Sequence, residues 1–128
     1  MGVTGVVSSL EESLQNVLAV DGVQVAALVD IATGMVVHSV GDEGPDFAAA
    51  AASVADEARA CRGMLGPGRP GGDLDEISLV TASRIHLARV LSEQPGEGMV
   101  LFVDLDKHRV NFALASLRVG QAAPAVLA

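Results

Sequence analysis

The chain has 128 residues, a formal net charge of −8 and a single cysteine, Cys61. That length suits one domain with one core; the acidic field disfavours nucleic acid and anionic lipid as direct partners; and a lone thiol excludes an internal disulfide and fits a reducing, cytoplasmic compartment. No apolar run approaches the ~18–20 residues of a membrane helix, so the high mean hydropathy of +0.44 points instead to apolar surface covered by a second subunit.

Val3, Val7, Leu10, Leu14, Val17 and Leu18 recur at helical spacing and predict a first helix from about Thr4 to Ala19. Ser9 with Glu12 has the form of a capping box, the alternative being a helix start nearer Thr4, and Asp21-Gly22 stops the helix. The start, Met1–Leu10, lacks the basic stretch of a signal peptide, and Val6 stands where a myristoylation signal needs Ser or Thr. Val23–Asp30 and Met35–Gly41 are short, rich in Val, and separated by Ile31-Ala32-Thr33-Gly34. They predict a hairpin, with Gly34 free to take a positive φ.

Pro45 and Asp46 open a second helix running to about Leu65. Phe47, Ala51, Val54, Ala58, Cys61 and Leu65 form one stripe along it, where a cysteine acts as a small hydrophobe. Ala48, Ala52 and Ala55 form a second stripe, small enough for a close helix–helix contact. Asp56, Glu57, Arg59 and Arg62 mark its charged face, with Arg69 in the following loop. Such a face is either simply solvated or a docking surface for a partner. Gly66–Gly72 is a breaker-rich loop within one domain. Ile77–Ala82 and Ile85–Leu91 predict two further strands. Ser92–Gly98 is a loop, and Met99–Leu105 is a strand buried on both faces. Val110, Leu114 and Leu117 mark a last helix, Arg109–Val119, which Gly120 ends. The domain then spans residues 1–120, with 121–128 a flexible tail.

No catalytic constellation emerges. The P-loop pattern is absent, and the only lysine, Lys107, follows Asp104-Leu105-Asp106 rather than a glycine loop. The prolines of the Gly66–Gly72 loop remove N–H donors that a phosphate would need. His38, His86 and His108 sit on separate elements without ligand spacing. Asp104 and Asp106 lack the spacing of a calcium loop and read as a solvated turn. Ser78 and Ser83 lack a nucleophile-elbow context. The sequence therefore predicts a non-enzymatic protein with no cofactor and no metal. A small-molecule sensor domain is the alternative class, disfavoured because three Phe and no Trp or Tyr leave little with which to build a ligand cage.

Taken together, Asp21-Gly22-Val23 followed by AALVD, then Gly34-Met35-Val36-Val37 and Ser39, then ISLVTASRIHLARVL with its His86-Leu87-Ala88-Arg89 piece, and finally MVLFVDLDKHRVNFALASLR, resemble the Roadblock / dynein light-chain family. The resemblance spans about Leu10 to Arg118. The composition, Ala, Gly, Val and Arg in place of Lys, Ile and Asn, suits a stand-alone bacterial member from a GC-rich, actinobacterial genome. Two departures stand out. Ser83-Arg84 replaces the glycine often found between the middle strands, and Ser116 stands where the last helix often carries Arg.

The resemblance implies an α/β (α+β) fold, profilin-like in shape. A single five-stranded, mainly antiparallel sheet of order 2-1-5-4-3 would carry helices on both faces, leaving the third strand at an edge. It further implies a homodimer. Third strands would pair through Ile77, Leu79 and Val80, and second helices would meet along Ala48, Ala52 and Ala55. The implied partner is a Ras-like small GTPase, in a bacterial signalling system that includes a sensor-kinase-like protein. Asp56, Arg59, Arg62 and Arg69 are the residues expected to meet the GTPase.

Overall fold

The computed structural model describes residues 3–65, 74–91 and 98–126. Its centre is a five-stranded antiparallel sheet built from β1 (Val23–Asp30), β2 (Val36–Gly41), β3 (Glu76–Val80), β4 (Arg84–Leu91) and β5 (Met99–Asp106), in the order β2-β1-β5-β4-β3. Helices α1 (Val3–Leu18) and α3 (Phe112–Ala122) cover one face, and α2 (Phe47–Leu65) covers the other. The two neighbouring strands β1 and β5 are buried on both sides, which is why Val-Ala-Ala-Leu-Val and Val-Leu-Phe-Val read as continuous apolar runs.

Alternation along each strand divides the core in two. Ala26, Leu28, Leu87, Leu101, Val103 and Leu105 face α1 and α3, meeting Leu14, Val17 and Val119. Val25, Ala27, Val29, Ala88, Val100 and Phe102 face α2, meeting Phe47, Ala51, Val54 and Ala58. Phe47 stacks on Phe102 with ring centroids 5.6 Å apart and so fixes where α2 begins over the sheet.

The predicted hairpins form, by different turn chemistry. Between β1 and β2, Asp30 accepts from the Ala32 amide and the Thr33 hydroxyl, and Thr33 Oγ1 accepts from the Met35 amide. Gly34, at φ +75°, closes that turn. Between β3 and β4 no glycine is needed, because Thr81 Oγ1 accepts from the Arg84 amide at 3.0 Å and holds the turn itself. Lys107 donates to the Thr81 carbonyl from outside. The Ser116 departure also has a structural role: its hydroxyl donates to Glu76 at 3.2 Å, tying α3 to β3.

Several expectations are corrected. Helix α1 begins at Val3 and runs through Ser9, so Ser9-Glu12 is interior helix and not a cap. Helix α3 begins at Phe112, with Asn111 as its cap accepting from the Leu114 amide. Its buried face is Ala115 and Val119, while Leu114 and Leu117 are exposed; only Val110 of the predicted stripe packs on the core. Residues 121–126 are no loose tail. They finish α3 and form a 3₁₀ turn, Ala123–Ala125, with Ala123 and Val126 buried and Ser13 Oγ donating to the Ala125 carbonyl. Apolar side chains that the sheet can still cover outweigh the breaking effect of Gly120 and Pro124.

Candidate functional site: the β3 edge and the outer face of α2

The sheet has two edges, and they differ. On β2, one residue more than on β1 is accommodated between Val36 and His38, which makes Val37 the extra residue of a β-bulge. A bulge twists an edge and spoils it as a template for another strand. On β3 the register with β4 is uninterrupted from Glu76↔Arg89 to Val80↔Ile85. The Val90 amide donates to the Asp75 carbonyl and the Thr81 amide to the Arg84 carbonyl, so the odd-numbered residues of β3 bond to β4. By alternation, the amides and carbonyls of Glu76, Ser78 and Val80 point away from the sheet, to the open side.

The side chains of that edge fall on both faces. Ile77, opposite Ala88, is half-buried against the α2-side core, and Leu79, opposite His86, lies on the same face and is 39% exposed. Val80, opposite Ile85, is on the α1/α3 side and is 57% exposed. His86 packs edge-on against Phe102 and lies 3.5 Å from Asp104, which also accepts from Arg84 at 3.0 Å. Alternation along β4 places His86 on a strand but gives no sign of this half-buried group beside the edge, because its acidic partner belongs to a different strand.

On α2 the alanine stripe is redistributed. Ala48 is exposed, Ala52 is half-buried, and Ala55 is fully buried, so Ala55 is removed from the predicted helix–helix contact. Ala52 and Ala55 are small for another reason: Gly34 of the hairpin turn sits directly against them, and a Cβ built on it would lie 3.4 Å from Ala52 Cα. The face opposite the core carries Ala49, Ser53, Asp56 and Ala60, all exposed. Five consecutive alanines, Ala48–Ala52, cannot set the phase of a helix by themselves. Phe47, Val54 and Ala58, by entering the core, set it.

The charged residues expected to meet a partner also separate. Arg59 donates to the Ile31 and Ala32 carbonyls of the β1–β2 turn and pairs with Asp56. It thus clamps the hairpin onto α2 while its side chain stays 42% exposed. Arg62 is exposed and makes no ion pair among the described residues. Glu57 is likewise exposed. Arg69 lies outside the described residues.

This architecture, a β2-β1-β5-β4-β3 sheet between one helix and two, is the Roadblock/LC7 fold. No family model matches the sequence, and no curated protein sequence does so significantly; the likeness to known proteins is one of shape. The gliding protein MglB from Thermus thermophilus superposes with a TM-score of 0.78 at 18% identity, over 99% of this chain and 90% of that one. Myxococcus xanthus MglB gives 0.70 at 19% identity, over 99% and 95%. A Roadblock/LC7 domain from Streptomyces avermitilis gives 0.71 at 15% identity, over 90% and 92%.

Proposed function

We propose that the protein is a non-enzymatic, cytoplasmic homodimer that regulates or scaffolds a Ras-like small GTPase, in a system with a sensor-kinase-like component. The observation that carries the dimer is the contrast between the edges. β2 is spoiled by its bulge, whereas β3 is regular, turns the backbone groups of three residues to its open side, unpaired among the described residues, and exposes Leu79 and Val80. A two-fold antiparallel pairing of β3 strands would satisfy those groups and cover both side chains. The small outer face of α2 would be presented beside the new seam. An MglB of similar fold has been solved in a tetrameric arrangement, so assembly of this kind of chain has a precedent.

The GTPase reading rests on the Roadblock resemblance and on the outer face of α2. Ala49, Ser53 and Ala60 leave the backbone open to close approach, and Glu57 and Arg62 can set orientation and association rate. A regulator of this type need not supply a catalytic group. It acts by binding one nucleotide state of the GTPase better than the other.

Ser78→Pro tests the dimer. The Ser78 amide points away from β4, so proline there blocks the edge while sparing the internal ladder. Sedimentation should show a wild-type dimer at micromolar concentration and a folded monomer for the variant. A wild-type monomer, or a variant dimer of unchanged affinity, would refute the pairing. Pull-down from the native cytosol tests the partner: a small GTPase should be recovered by wild type and lost on Glu57→Arg with Arg62→Glu while the dimer persists. Undiminished recovery would place the docking face elsewhere.

A further inference from the structure

The face of the sheet opposite α2 carries a second surface, independent of the β3 edge. Helix α3 leaves Leu114 45% and Leu117 57% exposed although Ala115 and Val119 fill its buried side. Next to Leu114 a groove of about 230 Å³ runs between the end of α1 and the start of α3, lined by Ala19, Val20 and Val110. That volume is below the ~300–1,000 Å³ of sites that enclose a small molecule, so it suits one or two side chains of a larger partner. Arg109 and Arg118 also line it, and neither makes an ion pair among the described residues. Exposed Lys107 and His108 precede Arg109. In a chain of net charge −8, the basic side chains Lys107, Arg109 and Arg118 gather at this end beside Asp21 and Asp106, a local excess of one positive charge.

We infer that the α1–α3 groove docks an acidic amphipathic helix of another protein. Aliphatic side chains of that helix lie on Leu114 and Leu117 and enter the groove. Its Asp or Glu side chains meet the Arg109 and Arg118 guanidiniums, which offer paired donors to a carboxylate. Asp21, also in the lining, disfavours a bare polyanion, because it repels charge that is not confined to the arginine side.

Photo-cross-linking from position 117 of the full-length protein in native cell extract tests this. A benzoylphenylalanine at Leu117 is compared with one at exposed Gln15 on α1. The expected adduct, specific to position 117, is a segment with Leu, Ile or Met at helical spacing and an excess of Asp and Glu. That segment, as a synthetic peptide, should bind purified protein and lose at least tenfold in affinity on Arg109→Glu with Arg118→Glu, or on Leu117→Asp, while sedimentation shows an unchanged oligomer. A basic or non-amphipathic segment would overturn the inference. So would an adduct with a second copy of the chain, no adduct above the Gln15 control, or unchanged affinity in the variants.

Discussion

Arg59→Ala separates two roles that one side chain plays on α2. Its guanidinium holds the Ile31 and Ala32 carbonyls of the β1–β2 turn and also pairs with Asp56 three residues earlier. The ion pair is weak: the side chains are 42% and 68% exposed, so solvent screening leaves it about 0.3–0.5 kcal/mol. The hydrogen bonds to the turn are charge-assisted, and the accepting Ile31 is a buried residue. Such bonds contribute roughly 1.5–3 kcal/mol when shielded; partial exposure puts this set at the lower end. Arg59→Ala should therefore cost about 2 kcal/mol, Asp56→Ala less than about 0.5 kcal/mol, and Arg59→Lys an intermediate amount, because an ammonium lacks the fork that reaches two carbonyls. The assay is urea unfolding at fixed protomer concentration, since a dimer's stability varies with concentration. It is repeated in ~1 M salt, where screening should remove the Asp56 contribution and spare most of the Arg59 effect. Amide exchange at Gly34, whose N–H bonds to the Asp30 carbonyl at 2.8 Å, should accelerate in Arg59→Ala. If Asp56→Ala costs as much as Arg59→Ala, or if Arg59→Ala costs under about 0.5 kcal/mol, the clamp does not hold the turn.

Two further perturbations follow from the structure. Val126→Ala removes two methyl groups from a buried site and should destabilise the fold by about 2 kcal/mol; an unchanged urea midpoint would mean that the chain end is loose after all. Glu11 accepts from His38 across the α1–β2 contact, and that hydrogen bond, opposed by partial burial, holds its carboxyl below the ordinary value of 4.5. A carboxyl with a lowered folded-state pKa stabilises the fold above its unfolded value, and that contribution is lost as pH falls through the folded value. Glu11→Gln should therefore flatten the acid limb of a melting-temperature profile below about pH 4.5; an acid limb identical to wild type would show that the contact stores no stability.

The sequence by itself determined the order of elements, because each carries a local signal strong enough to survive folding. Continuous apolar runs mark the two doubly buried strands β1 and β5, and Ile31-Ala32-Thr33-Gly34 marks a turn through a glycine able to take a positive φ, while the Asp30 and Thr33 oxygens that close it appear only in the structure. Phe47, Ala51, Val54 and Ala58 mark the buried face of α2. Which small residues meet which neighbour was decided only in three dimensions. Ala52 and Ala55 carry no directional information, and it took the Gly34 turn, distant along the chain, to claim them for the protomer's own core. Arg59 reads as a free charge on an exposed face until the hairpin carbonyls come within reach. Leu114 and Leu117 have the spacing of a core stripe. However, the phase of α3 is set by what fits over β4 and β5, and Ala115, Val119 and Ala123 fit closer. The difference between the edges belongs to the tertiary structure as well. A bulge on one outer strand and regular register on the other are properties of pairing between strands, and no single strand's sequence contains them.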